Sequence, residues 1–318
     1  MEQELTGMVY EIRGFSQGEG PGIRTAVVMK GCTLHCPWCG APDKQSLMPR
    51  LSFDMKSCGG LDGCGERCIR ACPRQALVPG DIGINSRTGE TARYVFIRRW
   101  SCNNCGACVH RCYARALQLR GSFRTVEQVM ERLLADRRFF EGGRGGVTLT
   151  GGEPLAQPLF TLALLERLKQ EGIHTALHTT GHVSPTALEA TLPLTDLYLL
   201  ELRHMDPGIH RRALGVDNTQ VLATARRIAQ AGGRLQLRIP VLSRFNDDSE
   251  TIWAMARFIL ELGPDAVTAV ELEPRAVPPA LWHPSVGLDV SPPSAERMQA
   301  LRSIMESEGL SVSIEETI

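Results

Sequence analysis

The chain has 318 residues, with 35 Lys plus Arg against 35 Asp plus Glu, 43% hydrophobic residues and 11 cysteines, enough for one large α/β domain or two smaller ones. A formal net charge of zero leaves no long-range field to gather phosphates, which argues against nucleic-acid binding by general electrostatics. The opening residues are charged throughout and no run approaches the ~18 apolar residues of a spanning helix, so no signal peptide or membrane segment is read and a cytoplasmic monomer is expected.

In chain order, Arg24–Met29 reads as a buried strand. Residues 51–118, rich in Cys, Gly and Arg, read as an inserted domain with two cysteine-rich halves, leaving 1–50 and 119–318 as the main domain. Thr125-x-x-Gln128 is a capping box opening a helix with Met130, Leu133 and Leu134 toward the core and Arg132, Arg137 and Arg138 toward solvent. A strand at Val147–Thr150 then leads into a helix at Pro158–Gln170 that Gly172 closes. The unit repeats: a strand at Thr175–Thr180, a helix opened by Ser184-Pro185, a strand at Leu197–Leu202 and a helix from Asp217 or Asn218 to Ala231. Leu235–Val241 and Ala266–Leu272 are strands around a helix at Ser249–Leu262, and a helix at Ser294–Glu308 precedes a short strand at Ser311–Ile314. Six strands alternating with helices predict an α/β fold, a full or partial barrel with active groups at the carboxyl ends of its strands.

All eleven cysteines fall between Cys32 and Cys112, and in a chain without a secretory signal such clustering reads as metal or redox sites. Cys32-x3-Cys36-x2-Cys39 lies on the loop leaving the first strand. Three thiolates there suit three corners of a cubane cluster with its fourth iron open; spacing alone leaves a zinc site, with His35 or a distant residue as fourth ligand, nearly as good a reading. The second set is Cys58-x5-Cys64-x3-Cys68-x3-Cys72 and Cys102-x2-Cys105-x2-Cys108-x3-Cys112. Its latter half has the spacing of two-cluster ferredoxins, in which the fourth cysteine crosses to the other cluster. Applied here, Cys102, Cys105 and Cys108 join Cys72, and Cys58, Cys64 and Cys68 join Cys112, with a pair of zinc knuckles as the competing reading. Gly151-Gly152-Glu153-Pro154 follows the second strand, where glycines let backbone approach a ligand closely.

These residues together resemble a known family. Gly20-Pro21-Gly22-Ile23-Arg24-Thr25, Lys30-Gly31-Cys32, the three-cysteine loop with Trp38 before its last cysteine, Gly146–Pro154 and His204-Met205-Asp206 resemble the radical S-adenosylmethionine enzymes that activate glycyl radical enzymes. The likeness spans nearly the whole chain. The eight-cysteine insertion is similar to that of the longer activases with a ferredoxin-like domain, and Leu5–Ser16, the Cys58-x5-Cys64 spacing and Cys112-Tyr113 look closest to activases of 4-hydroxyphenylacetate decarboxylase, with choline trimethylamine-lyase activases and others still open.

The resemblance implies a partial (β/α)6 radical SAM barrel and three 4Fe-4S clusters, one held by Cys32, Cys36 and Cys39. It implies reductive cleavage of S-adenosylmethionine to a 5′-deoxyadenosyl radical that takes a hydrogen from a glycine of a partner glycyl radical enzyme, with ferredoxin or flavodoxin as electron donor and an anaerobic setting. By the same resemblance Trp38, Cys39 and Gly40 border the adenine, Gly151, Gly152 and Glu153 hold the methionine amino group, and Arg238 contacts the carboxylate or ribose side.

Several positions depart from the family. Glu19 stands for an Asp before Gly-Pro-Gly, His178 replaces an acidic residue at the end of the third strand, and Glu201-Leu202-Arg203 replaces Asp-x-Lys. Glu273-Pro274-Arg275-Ala276 lacks an expected histidine. Some relatives hold a monovalent cation with the two acidic positions, and a neutral imidazole is a poor ligand for so hard an ion. The expectation is that protonated His178, or Arg203, takes over the cation's charge role; the alternative is that His178 only fills its strand end. The rival functions are a radical enzyme acting on a small molecule or peptide, and a non-catalytic iron–sulfur electron carrier.

Overall fold

The computed structural model describes residues 4–85, 88–140, 145–277 and 291–315. Strands β1 (Thr6–Ser16) and β2 (Arg24–Met29) open the chain as an antiparallel pair. The sequence pattern shows no strand before Arg24, because register shifts between Val9 and Glu11 and between Arg13 and Ser16 break the two-residue alternation.

Internal contacts set Met48–Ser122 apart as one unit and join Met1–Leu47 to Phe123–Ile318 as the other. The smaller unit holds β3 (Arg50–Phe53), α1 (Leu61–Cys64), α2 (Arg67–Arg70), β4 (Leu77–Ile84), β5 (Thr91–Ile97) and β6 (Leu117–Arg120). β3 pairs with β6 across the ends of the insertion, and β4 with β5 as a hairpin. Its two halves repeat one local structure. Cys68-Ile-Arg-Ala-Cys72-Pro-Arg-Gln-Ala76-Leu77 and Cys108-Val-His-Arg-Cys112-Tyr-Ala-Arg-Ala116-Leu117 align without a gap. The Cys72 and Cys112 amides donate to Ile69 and Val109 at 3.1 Å each, Gln75 and Arg115 both take positive φ, and Ala76, Leu77, Ala116 and Leu117 are buried.

The larger unit continues through β7 (Ser122–Thr125) and α3 (Val126–Leu134), where the Thr125 hydroxyl accepts from the Gln128 amide at 3.2 Å and the Gln128 side chain accepts from the Thr125 amide at 3.1 Å. Met130 and Leu133 are buried under it, while Arg132 pairs with Asp136 at 2.8 Å and Arg137 with Glu171 at 2.7 Å at the surface. Next come β8 (Gly146–Gly151), α4 (Pro158–Gln170), β9 (Thr175–Thr179), α5 (Pro185–Thr191) and β10 (Leu197–Glu201). α6 (Pro207–Leu214), α7 (Thr219–Gln230), β11 (Leu235–Val241), α8 (Ser249–Glu261), β12 (Val267–Pro274), α9 (Ala295–Ser307) and β13 (Val312–Ile314) complete it. Helix α6 is absent from the sequence pattern, its eight residues being too few to show a period. Its cap explains part of the His204-Met205-Asp206 motif: the Asp206 carboxylate accepts from the Ile209 amide at 2.7 Å, and His204 Nδ1 accepts from the Asp206 amide at 2.9 Å.

The sheet runs β13-β12-β11-β10-β9-β8-β2-β1-β7. Strands β2, β8, β9, β10, β11 and β12 lie parallel in chain order, the sequence of a (β/α) barrel left open, extended by parallel β13 beyond β12 and by β1 and then β7 beyond β2. The sheet face toward the helices holds the core: Val147, Leu149, Leu177, Leu200, Leu237 and Ile239 are fully buried in one apolar cluster with helix side chains. Among the described residues no helix is long and apolar enough to cross a membrane.

Candidate functional site

Parallel strands direct their carboxyl ends to one side, and there the larger unit forms a cavity of about 490 Å³. Its wall includes Cys32, Cys36, Trp38, Cys39 and Gly40 from the loop after β2, Gly151 and Gly152 after β8, His178 on β9, Glu201 and Arg203 at the end of β10, and Arg238 on β11. His35 is exposed and lies outside this wall. Glu153 and Leu202 lie behind it. The wall also takes in Glu19, Glu273 and Arg275, which stand at family-motif positions in the sequence, and Lys44, Gln45, Thr150 and Thr180, whose part in the site no motif announces.

The two glycines are explained by close approach. Gly151 has φ +127, and a Cβ on it would lie 2.2 Å from the Met29 carbonyl oxygen; a Cβ on Gly152 would lie 2.0 Å from that of Gly31. Their absence lets the Gly152 amide donate to Met29 at 3.0 Å and the Glu153 amide to Gly31 at 2.6 Å, which ties the Gly-Gly turn to the start of the cysteine loop. The Glu153 carboxylate accepts from the Leu155 amide at 3.0 Å, the Thr179 hydroxyl at 2.9 Å and both the amide and hydroxyl of Thr180 at 2.7 Å. Burial pushes its pKa up and these donors oppose the rise. Glu153 thus ties the end of β8 to the end of β9 rather than presenting its side chain to the cavity.

Charge fills the strand ends. Register sets Glu201, Arg238 and Glu271 side by side on β10, β11 and β12. Arg238 donates to the Gly18 carbonyl, with its Nε 3.4 Å from Glu271 and 3.6 Å from Glu273. His178 lies between two carboxylates, Nδ1 at 3.4 Å from Glu19 and Nε2 at 3.3 Å from Glu201, with the Thr150 hydroxyl 3.1 Å from Nδ1. Burial alone would lower the His178 pKa, but hydrogen bonding to Glu19 and Glu201 carries it up to about 9. Burial likewise works against ionised Glu19 and Glu201, yet His178 beside Glu19, and Arg203 with His178 beside Glu201, hold both below the usual carboxylate range. Arg203 is ion-paired to Glu201 and hydrogen-bonded to Cys36, and its buried Nε makes no hydrogen bond among the described residues. Trp38 is seated on Phe245, ring centroids 5.0 Å apart, within an apolar group that includes Leu214, Leu242 and Val277.

Burial pushes the Cys32 thiol up to about 12 and Cys36 upward as well. A metal cluster answers that chemistry, since ligation supplies the positive charge a buried thiolate lacks. The donor set fits: three soft thiols on one loop at the edge of a polar cavity.

The insertion has a cavity of its own, about 380 Å³, lined by Cys58, Cys64, Cys68 and Cys112. Burial, with Cys64 and Cys112 nearby, raises the Cys58 and Cys68 thiols, the latter to about 11. Burial raises Cys108 to about 11, with Cys72, Cys102 and Cys105 as its thiol neighbours. The thiols therefore fall into two groups of four, each taking one member from the other half of the sequence. Among the described residues no three Cys, His, Asp or Glu side chains converge to hold a single metal ion; a cubane spreads its four ligands over separate corners.

The sequence matches the Radical SAM superfamily over residues 101–259. It is 36% identical over 264 residues to the isethionate sulfite-lyase activating enzyme of Oleidesulfovibrio alaskensis, covering 82% of each chain. It is 33% identical over 319 residues to the indoleacetate decarboxylase activating enzyme of Tractidigestivibacter scatoligenes, covering 96% of each. The 4-hydroxyphenylacetate decarboxylase activating enzyme of Clostridioides difficile is 32% identical over 263 residues, 81% of this chain and 79% of that one. The open parallel sheet, the cysteine loop at its carboxyl end and these relatives agree: the chain belongs to the radical SAM superfamily, among the activating enzymes of glycyl radical enzymes.

Proposed function

We propose that the 490 Å³ cavity is where this activase binds S-adenosylmethionine beside a 4Fe-4S cluster held by Cys32, Cys36 and Cys39. The observation that carries this is the meeting, in one cavity, of a three-thiol loop, the Gly-Gly turn tied to the start of that loop, and the cationic side chains of Arg203 and Arg238. When bound, the reduced cluster would supply one electron to cleave the sulfonium of S-adenosylmethionine, giving methionine and the 5′-deoxyadenosyl radical that would take a hydrogen atom from a glycine Cα of the partner. The chain's own residues position and hold. The backbone of Gly151 and Gly152, which lines the cavity, would meet the methionine amino group, Arg203 and His178 would lie toward its carboxylate, and Trp38 would give the adenine an apolar flank. The His178 imidazolium, clamped by Glu19 and Glu201, supplies the positive charge for which some relatives use a monovalent cation.

The two groups of four thiols in the insertion would hold two further 4Fe-4S clusters and pass electrons inward from a ferredoxin or flavodoxin. An arylacetate decarboxylase as partner is supported by the relative matched over 96% of both chains, and a sulfite-lyase by the one at 36% identity. The test is anaerobic: reconstituted, reduced protein should form 5′-deoxyadenosine, and Cys36→Ala should abolish it. Electron paramagnetic resonance of each co-expressed partner should show a glycyl radical in one of them. A cluster-loaded protein that cleaves nothing, alone or with either partner, overturns the reading.

A further inference from the structure

The formal neutrality of the chain conceals a segregation of charge. Residues 48–122 carry 12 Lys plus Arg against 5 Asp plus Glu, a net charge of +7, and the remaining residues carry 23 against 30, a net charge of −7. Within the insertion the positive charge is at the surface: Arg67, Arg70, Arg74, Arg93, Arg98, Arg111 and Arg115 are all exposed. Two of them, Arg67 and Arg111, line the cavity of Cys58, Cys64, Cys68 and Cys112, and Cys64 is itself exposed. Neither arginine makes an ion pair among the described residues. The Arg67 guanidinium instead lies 4.6 Å from the ring centroid of Tyr113, which is 78% exposed beside the same cavity. Arginine and tyrosine are both residue types enriched at interaction hot spots, and stacking holds these two side chains together at the surface. Asp62 and Glu66 are the acidic residues on the same segment and leave the local balance positive.

We propose that this Arg67–Arg111–Tyr113 face of the insertion is the docking surface for an acidic electron-donor protein of the flavodoxin kind. The inference rests on the reading of the insertion as the holder of two iron–sulfur clusters. Charge complementarity selects the occupant: a +7 unit steers an acidic partner toward itself while the −7 unit repels it, so encounter is oriented toward the thiol-lined cavity. The step served is transfer of a single electron, with no bond made or broken: the donor's flavin is oxidised and the iron–sulfur group nearest the surface is reduced.

The test measures association of the reconstituted full-length protein with an acidic flavodoxin, by calorimetry or fluorescence anisotropy, from 50 to 300 mM salt. Affinity should fall at least tenfold across that range, and Arg67→Glu with Arg111→Glu should weaken it at least tenfold at low salt. The milder pair Arg67→Gln and Arg111→Gln should give an intermediate loss, and Arg226→Glu on the larger unit should give none. Salt-independent association, an undiminished affinity in both arginine pairs, or tighter binding of a short duplex DNA than of flavodoxin overturns the docking surface. Iron content is read on the same samples. If Cys68→Ala leaves the iron count unchanged, the cluster reading fails independently of the docking result.

Discussion

His178 turns a departure from its family into a feature of this chain. A histidine at a strand end is weak information in a sequence, because the residue serves equally as a packed ring or as a charge. Its neighbours decide, and Glu19 and Glu201 are 159 and 23 positions away. With the folded pKa raised to about 9 against an ordinary value near 6.5, the imidazolium's contribution to stability is present in full below about pH 6.5 and is lost as pH rises through about 9. S-adenosylmethionine affinity should weaken over the same upper range, and His178→Gln should lower it about tenfold at pH 7.5 while removing that pH dependence. Titration calorimetry from pH 7 to 9.5 checks this, with added potassium expected to change nothing in the native protein; an affinity unaffected by the substitution would reduce His178 to packing.

At the scale of elements, the strand–helix alternation was legible because each crossover helix carries its own start or stop. The Thr125 box, the Asp248 cap of α8 and the Ser294 cap of α9 all form hydrogen bonds to the first turn, and Gly172 takes φ +66 after α4. β1 was not legible, since its two irregularities hide its period, and α6 is too short to declare one. The Gly-Gly turn shows how an element's sequence encodes a neighbour: Gly152 is glycine because the Gly31 carbonyl occupies the place of a Cβ. Gly152→Ala should therefore displace the cysteine loop, costing about 1–3 kcal/mol in denaturant unfolding and lowering iron incorporation at the three-thiol site. Wild-type stability and iron content in that variant would sink the account.

For the whole molecule, the crossed groups of thiols, implied by the cysteine spacing and brought together in the fold, make a prediction. Cys72→Ser and Cys108→Ser should each lose about four irons, and the double variant should lose no more than either single. Cys68→Ser with Cys72→Ser, close in sequence but assigned to different groups, should lose about eight. Iron and sulfide analysis with electron paramagnetic resonance reads both. Additivity in the first pair, or its absence in the second, would reassign the ligands. The opposed charges of the two units belong to this scale too, being invisible in the chain's overall balance and plain once contacts divide it.

The sequence by itself determined the chemistry at hand: eleven thiols in sets of three and eight, a Gly-Gly turn after a buried strand, and an alternation of strands and helices that fixes which ends carry the site. These are local properties, written in spacing and in the preferences of caps and turns. Only tertiary structure decided that Glu153 faces inward to four donors, that Glu273 and Arg275 line the cavity, and that Glu19 and Glu201 flank His178 and carry its pKa upward. Those roles come from charge and burial set by side chains on different strands, and strand ends that meet in space are tens of residues apart in the chain.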